Sequence, residues 1–190
     1  MEKLVLTGLF PEEITERLSI PQSFRGKQIF KWISSHATDF SQMTNLSKEF
    51  REELEPKAVI RSSKVNLVLK DPDGTVKLQI KLFDGLFIET VLLTDKNGRK
   101  TACVSCQAGC AMKCAFCQTG TLGLARNLTA GEIIEEFMYL EEEAGTLDNI
   151  VFMGMGEPMM NLSEIRKAIA FLSSPDGRNL SERRITLSTC

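Results

Sequence analysis

Apolar positions recur at helical spacing through the first part of the chain. Pro11-Glu-Glu opens one helix, Ile29, Trp32 and Ile33 share a face of a second running from Phe24 to Ile33, and a third starts near Ser47, carries Phe50 and Leu54, and ends at Pro56. Residues 1–56 therefore predict a small helical domain. From Ala58 the period falls to two. Val65, Leu67 and Leu69 alternate with Asn66, Val68 and Lys70, and Val76, Leu78, Ile80 and Leu82 repeat the pattern after the turn Asp71-Pro-Asp-Gly74. Phe87 to Leu93 is largely apolar between turns at Asp84-Gly85 and Asp95-Lys-Asn-Gly98. Residues 57–99 thus predict an antiparallel β meander. Beyond residue 100, strand and helix alternate. Thr129-Ala-Gly-Glu132 is a capping box for a helix with Ile133, Ile134, Phe137 and Met138 inward, stopped by Gly145. Asn149 to Met153 reads as a buried strand, a helix follows from about Ser163 with Ile165, Ala168, Ile169 and Leu172 on one face, and Arg184 to Ser188 reads as another strand. This βαβ order over residues 100–190 predicts an α/β unit with a parallel sheet, barrel or open. The last strand reaches its C-terminal end at Cys190, and a sheet of three parallel strands leaves an unpaired edge, so the chain is expected to be part of a longer protein.

Composition narrows the class. No apolar run approaches the roughly 20 residues that span a bilayer, and Met-Glu-Lys-Leu-Val-Leu-Thr is too short an apolar start for a signal peptide, so no membrane role and a cytoplasmic location are expected. A net charge of -2 gives no basic footprint for nucleic acid. The acids concentrate in Glu132, Glu135, Glu136, Glu141, Glu142 and Glu143, leaving Arg178, Arg183 and Arg184 as a local basic cluster. Trp32 and the single histidine, His36, read as packing and surface residues. Six cysteines without an export signal point to metal or redox chemistry rather than structural disulfides, and five of them lie between Cys103 and Cys117.

Two metal readings compete for that run. Cys110, Cys114 and Cys117 have the spacing to ligate three irons of a cubane and leave the fourth open. The pairs Cys103/Cys106 and Cys114/Cys117 would instead make a closed zinc site of four thiolates. Three features favour iron. The run follows a strand and enters a βα unit, Phe116 stands beside Cys117 where it can pack over an adenine, and the strand ending at Met153 leads into Gly154-Met-Gly-Glu-Pro158. The exposed amides of that turn and Glu157 suit the polar groups of an amino acid.

Cys-x3-Cys-x-Phe-Cys followed by a Gly-Glu-Pro strand end resembles the radical S-adenosylmethionine (SAM) superfamily. The fuller string from Ala102 to Gly120, together with Arg126-Asn-Leu-Thr, Met153-Gly-Met-Gly-Glu-Pro and Arg183-Arg-Ile-Thr-Leu-Ser-Thr189, resembles the dual-specificity adenosine-C2 rRNA/tRNA methyltransferases. Phe24-Arg-Gly-Lys-Gln-Ile-Phe-Lys-Trp-Ile33 is similar to that family's accessory domain, so the likeness runs through nearly the whole chain.

The resemblance implies a partial radical-SAM (β/α) barrel over 100–190, an RNA-binding helical accessory domain over 1–56, and a β extension over 57–99. It implies a [4Fe-4S] cluster on Cys110, Cys114 and Cys117, with SAM held by Gly156, Glu157, Ser188 and Phe116. The implied substrates are 23S rRNA and tRNA, the implied electron source is a one-electron reductant such as a flavodoxin, and the implied state is a monomer. Adenine C2 is not nucleophilic, so a radical route is needed. In the family a methyl group passes through a cysteine of the enzyme, which matches no residue here and is expected beyond residue 190; Cys190 is not assigned that role. Release needs a proton acceptor, matched to Glu89, and a resolving thiol that forms a transient disulfide, matched to Cys103. Between them the chain is one residue longer than the family pattern, with room for it at Asn97-Gly98. A carboxylate in an apolar strand would have its pKa raised toward usefulness as a base, and Cys103 would attack as a thiolate. Taken without the family, Glu89 is an exposed strand residue, Cys103 and Cys106 are small buried hydrophobes, and Ser188 is unremarkable. Two other readings stand beside this one: an adenosine-C8 methyltransferase relative, and a zinc-stabilised RNA-binding module without catalysis.

Overall fold

The computed structural model describes residues 3–190. Strand β1 (Leu4–Val5) leads into helices α1 (Pro11–Arg17), α2 (Ser23–Ser34) and α3 (Lys48–Leu54), and the chain returns as β2 (Ala58–Val59), parallel to β1. Proline suits the first position of α1, where its missing amide breaks no helical bond, and Glu13 accepts from the Phe10 N–H (2.8 Å). Helices α1 and α2 touch at Gly26, where a Cβ would lie 2.2 Å from the Pro11 carbonyl oxygen.

The meander follows as β3 (Lys64–Lys70), β4 (Val76–Lys81) and β5 (Phe87–Thr94), and then β6 (Lys100–Cys103). Next come β7 (Gln107–Gly109), the one-turn α4 (Gln118–Leu122), β8 (Leu124–Asn127), α5 (Ala130–Ala144), β9 (Asn149–Phe152), α6 (Leu162–Ser173) and β10 (Ile185–Leu187). Six strands make one sheet in the order β10-β9-β6-β5-β4-β3. The first three pair parallel and the rest antiparallel, so the meander is hydrogen-bonded directly onto the parallel strands.

One face of this sheet is buried. Leu78, Ile80, Ile88, Leu92, Ala102, Ile150 and Phe152 all point into the core, and α5 packs on β5, β6 and α6. The same core runs into the helical region through a stack of aromatics. The Phe30 ring of α2 lies 4.7 Å from that of Phe171 in α6 and 6.1 Å from that of Phe10. Among the described residues no helix is long and apolar enough to cross a membrane.

The strand β3 departs from the simple alternation. Its register slips between Val65 and Leu67, so Val68, rather than Leu67 or Leu69, faces Leu78. A bulge turns the side chains that follow it to the other face, which leaves Leu67 46% and Leu69 50% exposed. The acidic stretch is largely internal: Glu132, Glu135 and Glu136 are buried on α5, and the Arg178 guanidinium donates to Glu141 (2.9 Å) and to the Leu147 carbonyl (3.2 Å).

Candidate active site

The open face of the sheet carries a continuous row of register partners: Lys77, Val91, Cys103, Val151 and Thr186. Paired residues on adjacent strands point to the same side. Glu89, two residues before Val91, is therefore on the same face as Cys103 and diagonal to it. Ser188 follows β10 by one residue and is exposed. Glu89 does not sit in apolar surroundings. It lies between the buried Ile88 and Thr90, so strand alternation turns it outward, and its carboxylate pairs with Lys77 Nζ at 3.2 Å.

Cys103 is half-buried. Burial pushes its thiol above the usual range and the nearby Glu136 adds to this, against a smaller opposite effect of the Met153 backbone. Burial likewise drives Cys106 up to about 12. Both are held as thiols, so attack by Cys103 requires a base to take its proton first.

The three clustered cysteines share one connection whose two ends are pinned together. β7 and β8 pair antiparallel, and Cys110 N–H donates to the Gly123 carbonyl (2.9 Å). Within the loop Cys117 N–H donates to the Cys114 carbonyl (3.0 Å), and Gly120 closes in so tightly that a Cβ there would lie 3.0 Å from Lys113 Cα. Cys117 stands at the start of α4, where the Gly120 and Thr119 backbone N–H groups lower its thiol pKa. Among the described residues no three His, Cys, Asp or Glu side chains are gathered closely enough to hold a metal ion. Sites that are not preformed are drawn together by the metal they bind. Three soft thiol donors on one pinned loop fit an iron-sulfur cluster better than a hard cation. Phe116 is 93% exposed and packs on nothing.

The turn after β9 is clamped onto the segment after β6. Gly154 N–H donates to the Val104 carbonyl (3.1 Å), Cys106 N–H to the Met155 carbonyl (2.8 Å), and Glu157 N–H to Gln107 Oε1 (2.8 Å). Gly156 has φ +103°, and a Cβ there would lie 2.6 Å from the Gln107 Cβ, so the position admits only glycine. The Glu157 side chain is buried. Burial works to raise its pKa and is overcome by donors: the Thr189 hydroxyl (2.5 Å), the Met159 N–H (3.0 Å), and the Cys190 thiol and N–H (both 3.3 Å). The structure thus brings Glu157 and the end of β10 together, and places Glu89 and Cys103 diagonally on the adjoining face.

Sequence reasoning missed the polar residues beneath this surface. Ser105, Gln107, Thr90, Glu136 and Asn161 are all buried, and Asn161 Nδ2 donates to the Cys106 (2.7 Å) and Leu128 (2.8 Å) carbonyls. A signal existed for Glu136, which falls at helical spacing with Ile133, Phe137 and Leu140 on the inward stripe of α5.

Residues 16–60 match the family model for the ribosomal RNA large subunit methyltransferase N-terminal domain, and residues 104–190 match that for the radical SAM superfamily. A probable dual-specificity RNA methyltransferase RlmN of Treponema denticola is 60% identical over 187 residues, covering 98% of this chain and 54% of the relative. Its counterpart in Treponema pallidum is 56% identical over 184 residues, covering 97% and 54%. The dual-specificity RNA methyltransferase RlmN of Oleidesulfovibrio alaskensis is 46% identical over 176 residues, covering 89% and 49%. The crystal structure of a radical SAM methyltransferase from Sphaerobacter thermophilus superposes with a TM-score of 0.89 at 39% identity, covering 98% of this chain and 57% of that one. The chain spans about half the length of these relatives.

Proposed function

Starting from a chain that belongs with the radical SAM RNA methyltransferases, we propose that the protein it contributes to methylates C2 of adenosine in 23S rRNA and tRNA. Residues 100–190 are the first part of a (β/α) barrel, 57–99 a β extension of its sheet, and 1–56 an accessory domain that contacts RNA. Cys110, Cys114 and Cys117 hold three irons of a [4Fe-4S] cluster. Gly156 and Glu157 hold the amino-acid end of SAM, Ser188 its ribose or carboxylate, and Phe116 closes over its adenine. When bound, cluster and SAM supply one-electron cleavage of the sulfonium, with the electron coming from a flavodoxin-like reductant. Glu89 would accept the C2 proton of the covalent cysteine–adenine adduct, and the Cys103 thiolate would attack the sulfur of the methyl-carrying cysteine, forming the S–S bond as the S–C bond breaks, with the electron pair and a proton going to the carbon that becomes the C2 methyl group. That cysteine lies beyond residue 190, and the protein acts as a cytoplasmic monomer.

The observation that carries this reading is the meeting of buried Glu157, after β9, with Thr189 and Cys190, after β10, at the ends of adjacent parallel strands, next to the face shared by Glu89 and Cys103. Strand ends of this kind are where α/β proteins place ligands. The test is anaerobic reconstitution of the full-length protein, followed by an assay for 5′-deoxyadenosine release from SAM and by mass spectrometry of the RNA product against C2- and C8-methyladenosine standards. Wild type is expected to cleave SAM and yield the C2 product, and Cys114→Ala to lose both iron and cleavage. Colourless protein holding one zinc, or a C8 product, overturns the proposal.

A further inference from the structure

Behind the candidate site lies a chain of buried polar groups that none of the roles above uses. Ser105 follows β6 by two residues and is completely buried. Its hydroxyl donates to the Glu89 carbonyl (2.7 Å) and accepts from the Met155 N–H (2.9 Å). A single oxygen therefore ties β5, at the residue assigned as base, to the turn that carries Gly156 and Glu157. The other bonds between segments 104–107 and 154–157 run through backbone groups or Gln107, and none of those described above reaches β5. The turn lies flat on this hydroxyl: a Cβ on Gly154 would come within 2.8 Å of it.

Ser105 is itself seated from below. Its N–H donates to Glu136 Oε2 (2.9 Å), which reaches it from the middle of α5, and Glu136 Oε1 has no hydrogen-bond partner among the described residues. The neighbouring Thr90 hydroxyl gives its proton to the Cys103 carbonyl (2.8 Å), so toward Glu136 it can serve only as an acceptor. A protonated carboxyl removes the buried charge while still accepting from Ser105. Burial pushes Glu136 well above the usual carboxylate range, the Glu132 charge adds to this, and the Ser105 amide opposes it.

We infer that Ser105, seated on Glu136, is a positioning residue that couples the Gly154–Glu157 turn to strand β5 at Glu89, so that the amino-acid pocket and the base are set together. This rests on the function proposed above for those two elements. The test uses the full-length protein, purified anaerobically with its cluster, as wild type, Ser105→Ala, Glu136→Gln and Glu136→Leu. Two quantities are read: hydrogen exchange of the turn amides, and affinity for S-adenosylhomocysteine. Loss of the shared hydroxyl is expected to speed turn exchange and weaken affinity by about tenfold each, the scale of one hydrogen bond, with iron content unchanged. Glu136→Leu is expected to follow Ser105→Ala. Glu136→Gln is expected to match wild type, because a neutral amide of the same shape can still accept from the Ser105 N–H. Ser105→Ala within about twofold of wild type in both readouts overturns the inference, as does Glu136→Gln as damaging as Glu136→Leu. Should Ser105→Ala not fold, Ser105→Cys carries the same test with a smaller shift in the same direction. If wild type binds no S-adenosylhomocysteine, the proposed function fails, and exchange of the turn still decides the coupling.

Discussion

His36 offers a quantitative test of how the helical region is fastened to the rest of the chain. Its Nε2 lies 2.9 Å from Glu141 and its Nδ1 3.7 Å from Glu142, both on the last turn of α5, more than a hundred residues away in sequence. Donation from the imidazolium to Glu141, together with the nearby Glu142 carboxylate, raises its pKa from 6.5 to about 9, against the opposing effect of burial. That difference corresponds to roughly 3 kcal/mol, and partial exposure to solvent reduces it to ~1–2 kcal/mol. Because the folded value is raised, the stabilisation is complete below about pH 6.5 and is lost as pH rises through about 9. On the acid side, burial works to raise Glu142 but His36 and Arg61 overcome it, holding it at about 2. The contact therefore persists down to that range, and it is the same contact, to be counted once. The perturbation is His36→Asn, since the backbone there has φ +65°, which asparagine tolerates. Urea unfolding of both proteins should show a deficit of ~1–2 kcal/mol near pH 6 that shrinks toward zero near pH 10. An equal deficit at both pH values refutes the ion-pair account.

Three further changes probe the frame of the site. Gly154→Ala places a Cβ 2.7 Å from the Val104 carbonyl oxygen; it should cost ~1–3 kcal/mol in denaturation and weaken SAM binding, and wild-type behaviour in both would show that the turn is not held against β6. Phe30→Ala opens the stack between Phe10 and Phe171 and is expected to lose ~3–5 kcal/mol by urea titration, with a loss under about 1 kcal/mol counting against a shared core. Glu132→Gln keeps a cap for the Thr129 N–H but gives up the two-pronged contact with Arg126 (2.8 Å each). Because Arg126 retains Asp84 at 2.6 Å, the expected drop in stability is ~1–3 kcal/mol, and no measurable change would contradict the buried geometry.

Much of this frame is written locally in the chain. The capping box at Thr129 and the stop at Gly145 set α5 where the pattern places it, and the alternation Val76, Leu78, Ile80 sets the inward face of β4. What escaped local reading depends on long-range partners. The bulge in β3 arises from pairing with β4 and changes which leucines are buried. The pair β1 and β2 is formed by residues more than fifty positions apart. The burial of Glu132, Glu135 and Glu136 follows from hydrogen-bond partners on Arg126, Ser62, Ser63 and Ser105, which a charge count along the sequence does not show. The candidate site residues were read from a motif and the outward turn of Glu89 from strand alternation, whereas the exposure of Phe116 appeared only with the fold in place.

The antiparallel ladder between β5 and β6 joins Val91 to Cys103 and Thr94 to Lys100, and the tight turn from Asp95 to Gly98 merely closes it. The spacing between the proposed proton acceptor and the proposed thiol is thereby fixed by the register of the ladder, one strand across at about 4.8 Å and two residues along, and not by the length of the connection. Extra residues at that hairpin tip can be accommodated in solvent without altering the distance across which chemistry would take place, which makes the tip a natural point of tolerance for insertions.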